Sequence, residues 1–259
     1  MTFFLQAELT INTNGAIEKN RYEFLFYVEL LTVNEKDACF YDRDLKMHFL
    51  EPNMVAKTYE VETNKIILKL SSNMEKAEDF TRRLMYRYDR IQPTVRANGK
   101  IIGIENKKEL KETWQEIKRS VQNEYVGETV TNYLKKLDLE FETDKTVYPA
   151  LSQYLFFGLL FPAIPETHGT IRERKRTVEL SPYEEEQFEE QAVYAETHGN
   201  ERMYNITGSL LPGSEAELER FEGYAVIPVK ELLPAKTVIN TSIKKHGIIS
   251  QWNFNLERY

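Results

Sequence analysis

The segment Arg21 to Val33 alternates as a strand does, yet it is apolar on both sides: Tyr22, Phe24, Phe26, Val28 and Leu30 share one parity, and Leu25, Tyr27 and Leu31 share the other. Side chains of a strand point alternately to the two faces of its sheet. A strand of this kind must therefore be covered on both faces and flanked by other strands. The preceding residues supply one neighbour. Phe3, Leu5, Ala7, Leu9 and Ile11 oppose Gln6, Glu8 and Thr10 in the pattern of a half-buried strand, with a turn at Asn14-Gly15. Val55 to Val61 and Lys65 to Leu70 read as a hairpin joined near Thr63-Asn64.

The period then changes. Met74, Ala77, Thr81, Leu84, Tyr88 and Ile91 recur at helical spacing, with Ser72 and Glu75 as a capping box and Pro93 as the stop. Val95–Ala97 and Lys100–Ile104 flank Asn98-Gly99, a pair suited to a type I′ hairpin turn because both central residues need positive φ. Three further helices are expected between 106 and 161. Asn106 caps the first, whose buried stripe is Leu110, Trp114, Ile117 and Val121; Val126, Val130, Tyr133, Leu134, Leu137 and Phe141 mark the second; Lys145 to Phe161 forms the third.

From Thr170 the chain returns to strands centred on Val178, Val193, Ile206, Val226, Ile239 and Phe254, with a final turn at His246-Gly247. No Gly/Ser- or Pro-rich linker interrupts the chain. The expectation is one α+β domain over 1–259: a curved, mostly antiparallel, half-barrel-like sheet with about four helices packed on it, three of them inserted mid-chain. Strands occupy 1–70, 92–105 and 170–259; helices occupy about 72–91 and 106–161.

Charge and cysteine content narrow the function classes. The net charge is −7 over 259 residues, so there is no general attraction to nucleic acid or anionic membranes. Cys39 is the only cysteine, which rules out an intramolecular disulfide and a thiolate zinc site within one chain. The first residues lack the basic and apolar regions of a secretory signal, and no apolar run reaches the roughly 20 residues of a membrane span. A cytoplasmic protein is expected.

No catalytic motif stands out. The four histidines, His48, His168, His198 and His246, are too dispersed for a helical metal pair; His48 joins Asp42 and Asp44 only if a turn brings them together. Phosphate-cradling glycine loops and serine-hydrolase signatures are missing. The expectation is no enzyme, no cofactor and no metal. Arg172-Glu173-Arg174-Lys175-Arg176 reads as a charge-guarded edge strand rather than a nucleic-acid site. Two segments are candidate binding surfaces. Tyr154, Phe157 and Phe161, in the aromatic run ending at Pro162, would border an apolar groove, with ordinary core as the alternative. Glu184, Glu185 and Glu186 begin an acidic stretch between two strands that would meet a partner.

The run Asn98-Gly99-Lys100-Ile101-Ile102-Gly103-Ile104-Glu105-Asn106, followed by Trp114, Tyr125, Tyr133, Leu155-Phe156-Phe157 and Phe161-Pro162, resembles a group of uncharacterised proteins from Bacteroidetes. The element order is also similar to carriers of the LolA/LppX type, whose curved sheet cups apolar ligands under helices. These resemblances imply no catalytic residues and an association with injection or toxin systems. The function expected is a non-catalytic cytosolic binding protein, acting as chaperone, adaptor or immunity factor for a secreted or toxic protein. The alternative is a carrier of a lipid or other small apolar ligand.

Overall fold

The computed structural model describes residues 2–13, 21–32, 39–52, 56–69, 74–154, 157–162, 164, 172–181 and 184–258. Among them are four helices and thirteen strands, the strands joined in a single hydrogen-bonded sheet. The architecture is α+β, and every ladder but one is antiparallel.

The N-terminal strands are β1 (Thr2–Thr13), β2 (Arg21–Thr32), β3 (Cys39–Pro52) and β4 (Ala56–Lys69). The doubly apolar strand is indeed internal. β2 pairs with β1 through Phe3↔Leu30 to Asn12↔Arg21, and on its other side with β13 (Ile248–Arg258) through Phe254↔Val28. This second ladder fuses the first and last thirds of the chain into one sheet. β1 pairs β3 in parallel, and β3 pairs β4.

Asn14-Gly15 and Ser72 lie outside the described residues. β3 was not foreseen, because polar Asp42, Arg43, Asp44, Lys46 and His48 obscure its alternation. Thr63-Asn64 is no turn: β4 runs straight through it, and Asp44↔Lys65 followed by Leu45↔Thr63 leaves Asn64 as the extra residue of a bulge. Asp42, Asp44 and His48 lie along one strand, not across a turn.

Helix α1 (Glu75–Met85) stops early, and a single 3-10 turn at Tyr86–Tyr88 leads into β5 (Arg90–Ile91). Ile91 is thus a strand residue opposite Val61. β6 (Pro93–Arg96) and β7 (Ile101–Ile104) form the expected hairpin with a different turn. Only Gly99 has positive φ (74°), Gly99 N–H donates to the Arg96 carbonyl, and Arg96 N–H donates to the Lys100 carbonyl. That is a three-residue loop with glycine at its left-handed position. The two-residue turn with both φ positive occurs instead at His246 (50°) and Gly247 (79°), between β12 (Lys236–Lys245) and β13.

α2 (Lys107–Glu124) buries Leu110, Trp114 and Val121, as its periodicity requires. The Asn106 side chain, however, does not cap it. Its Oδ1 accepts from Gln92 N–H and its Nδ2 donates to the Arg90 carbonyl, pinning β5 and β6 to the helix start. α3 (Glu128–Glu140) buries Leu134 and Leu137, while Val126 lies before it and is 86% exposed. Phe141 joins two apolar clusters, stacking on Trp114 at 5.7 Å and on Tyr88 at 5.5 Å. Beneath it, buried Arg87 makes a two-pronged pair with Glu140 (2.8 and 3.2 Å), which also accepts from the Tyr88 hydroxyl.

The C-terminal strands β8 (Arg172–Ser181), β9 (Glu184–His198), β10 (Glu201–Leu210), β11 (Glu217–Pro228), β12 and β13 include all six expected centres. They form a meander, each strand pairing the next. The sheet is curled without closing. Following the ladders from β4 to β11, the path crosses β3, β1, β2, β13 and β12. Yet Tyr59 of β4 and Ile227 of β11 belong to one buried cluster, which also takes in Tyr154, Phe157, Leu159, Leu160, Phe161 and Ile164. β7 and β8 are the outer strands and do not pair with each other among the described residues.

Candidate functional site

The aromatic segment is shaped by the short helix before it. α4 (Asp144–Leu151) opens with a capping box between Thr143 and Thr146, and Asp144 pairs with Lys107 at the start of α2. The helix was expected to reach Phe161. Pro149 lies inside it, lacks an N–H for the helical ladder and crowds the preceding turn, and the helix ends two residues later. Irregular turns follow: Phe157 N–H donates to the Leu151 carbonyl, Gly158 N–H to that of Gln153, and Phe161 N–H to that of Phe157.

These turns direct the aromatic rings inward. Tyr154, Phe157 and Phe161 are 1%, 0% and 4% exposed. Tyr154 packs on Phe254 at 4.9 Å, Phe157 on Phe161 at 6.5 Å, and Phe161 on Tyr59 at 5.5 Å. Tyr154 and Phe157 are therefore core plugging the curled sheet. Phe156 lies outside the described residues.

The acidic stretch is also corrected. Residues 184–190 are not a loop between strands but the first half of β9. Period-two geometry turns Glu186, Phe188, Glu190 and Ala192 inward, and all four are buried. Glu186 receives hydrogen bonds from Lys245 Nζ (2.8 Å) and Ser214 Oγ (2.6 Å). Burial pushes its carboxyl up, but these two donors and the Lys245 charge outweigh that, and the net displacement is downward. Glu190 accepts a hydrogen bond from the Tyr154 hydroxyl. Hence Glu186 belongs to the fold rather than to an acidic docking face; for Glu184 and Glu185 only their place in β9 is described.

One of the expected aromatics, Phe161, does border an opening. A cleft of about 220 Å³ lies where the β6–β7 turn meets the C-terminal arm of the sheet. Its apolar lining includes Tyr59, Phe161, Ile164 and Ile227. Gly99 forms part of the wall. A side chain there would set its Cβ 2.1 Å from the Pro162 carbonyl oxygen, so the turn can pack this closely only as glycine.

Arg96, Arg202 and Glu231 are the charged side chains at this cleft. Glu231 is engaged by Arg258 Nη1. Arg202 Nη2 reaches only the Glu231 main-chain carbonyl, at 3.5 Å, and its buried Nε has no hydrogen-bond partner. Neither Arg96 nor Arg202 has a carboxylate partner among the described residues. The cleft thus combines an apolar floor with two guanidinium groups that no carboxylate among the described residues neutralises, in a chain of net charge −7.

Sequence reasoning reached Phe161 and missed the rest. Arg96 and Arg202 are separated by more than a hundred positions, and nothing in their local patterns links them. Among the described residues, no three His, Cys, Asp or Glu side chains are grouped to hold a metal, and no helix is long and apolar enough to cross a membrane. No protein-family model matches the chain, and no curated protein is similar to it.

Proposed function

We propose that this is a non-catalytic cytoplasmic binding protein that holds a protein partner, as a chaperone, adaptor or immunity factor for a secreted or toxic protein, through the cleft between the β6–β7 turn and the curled sheet. The observation that carries this reading is the cleft itself: open, about 220 Å³, apolar at its floor and cationic at its sides. Sites that enclose a whole small molecule usually span about 300–1,000 Å³. A smaller recess suits one anchoring residue of a larger partner, the arrangement in which a few buried contacts supply most of the binding energy. A lipid carrier is the weaker reading, because an acyl chain asks for an enclosed apolar channel, and Arg96 and Arg202 stand at this opening.

Affinity capture from the native host, run side by side with wild type and Arg202→Gln, tests the proposal. It requires a protein recovered in near-stoichiometric amount with wild type and strongly depleted with the variant. Equal recovery with both, or a stoichiometric lipid in an organic extract of the purified protein, would overturn it.

A further inference from the structure

We infer that the cleft binds a carboxylate carried on a short apolar group, with the carboxylate between Arg96 and Arg202 and the apolar part against Phe161, Ile164 and Ile227. The inference rests on the proposal that this cleft is the recognition site, and it adds the chemistry recognised there.

Local charge points this way. The carboxylate at the cleft among the described residues, Glu231, is already held by Arg258, so within that set Arg96 and Arg202 leave an excess of positive charge. Charges of one sign focused in a recess draw oppositely charged groups even against the net sign of the whole molecule.

The state of Arg202 points the same way. Its Nε is buried without an acceptor, and its Nη2 has only a long contact to a carbonyl. Buried donors without acceptors are costly, and a guanidinium presents parallel N–H groups that match a carboxylate edge. A carboxylate entering the cleft would supply the Arg202 guanidinium with the anionic acceptor that the described residues do not.

The lining decides between anions. Inorganic phosphate would have to shed water against Phe161, Ile164 and Ile227 without any gain from burying them. A carboxylate with a leucine-sized body satisfies both parts of the lining.

Isothermal titration of the 259-residue chain tests this with N-acetyl-L-leucine, N-acetyl-L-leucinamide and inorganic phosphate. The acid should bind wild type at least about tenfold more tightly than the amide, a difference of about 1.4 kcal/mol. That preference should vanish in Arg202→Gln and shrink in Arg96→Gln, while the amide is unaffected. Equal binding of acid and amide to wild type, an undiminished preference in Arg202→Gln, or tighter binding of phosphate would each overturn the inference. If Arg202→Gln fails to fold, Arg96→Gln, at the exposed end of β6, decides alone: an unchanged preference there would overturn the inference.

A pentapeptide ending in leucine identifies the source. Tighter binding than N-acetyl-L-leucine, lost on amidation, supports the site and assigns it to a polypeptide C-terminus; no gain over N-acetyl-L-leucine supports the site for a free small acid. The two proposals fail separately. If neither acid nor peptide binds but partner capture still depends on Arg202, the carboxylate inference falls alone. If acids bind but no captured protein depends on Arg202, the partner proposal falls alone.

Discussion

The hydroxyl of Tyr154 donates a hydrogen bond to the buried carboxylate of Glu190, tying the turn after α4 to the inner face of β9. The two residues come from the two stretches that the sequence offers as binding surfaces, and here they satisfy each other inside the core. Removing the hydroxyl takes a donor from a buried carboxyl acceptor, a loss of about 1–3 kcal/mol. Tyr154→Phe should lower stability by that amount in urea denaturation at neutral pH. A change below about 0.5 kcal/mol, the usual limit for inert surface positions, would place the pair outside the core.

Glu186 gives a pH dependence. Its carboxyl titrates below the ordinary glutamate value of 4.5 in the folded chain. A depressed folded value means that the unfolded chain binds a proton first as pH falls. The contribution of Glu186 is therefore fully present above about pH 4.5 and is lost as pH drops through the lower folded value. Glu186→Gln should be less stable than wild type at pH 7, and the gap should narrow toward pH 3. Parallel denaturant titrations at the two pH values measure this; a gap that widens in acid would reverse the assignment.

Gly99 and Gly199 form a matched pair. Both have positive φ, at 74° and 59°, but a Cβ on Gly99 meets the Pro162 carbonyl oxygen at 2.1 Å, whereas one on Gly199 meets nothing within 4 Å. Gly199→Ala should cost only the conformational penalty of about 1–2 kcal/mol. Gly99→Ala should cost clearly more and weaken cleft binding, because the turn must move off 161–162. Thermal unfolding of the two variants compares them directly, and equal losses would show that the turn does not press on that segment.

Trp114 is fully buried, stacks on Phe141 and donates from Nε1 to Asp138 at 2.8 Å. Trp114→Ala should cost about 3–5 kcal/mol. A melting temperature within a degree or two of wild type would show that this helical cluster is not part of the cooperative fold.

What was legible in the sequence follows from how each signal is encoded. The period-two runs around Val193, Ile206, Val226, Ile239 and Phe254, and the helical stripe of Leu110, Trp114 and Val121, are local, and each became the expected element. Pro149 is a local signal that the helix stops well before Phe161, and α4 ends two residues after it. β3 was hidden by its polar residues, and the parallel ladder of β1 with β3 depends on tertiary context that no periodicity records. The buried glutamates were misjudged because an acidic run looks solvated until its partners Ser214, Lys245 and Tyr154 arrive from distant positions. The cleft was illegible for the same reason: it requires Arg96, Gly99, Phe161, Ile164, Arg202 and Glu231 to meet, and only the curl of the sheet brings them together.

Site-specific photocrosslinking in the native host tests the recognition site most directly. A photoreactive phenylalanine analogue replaces Leu232, which lines the cleft, and in a second strain replaces Val126, which is 86% exposed on the turn before α3. The account predicts one discrete protein adduct at position 232, lost when Arg202→Gln is combined with the probe, and none at 126. An adduct at 126 with none at 232, or an adduct at 232 that persists without Arg202, would contradict it.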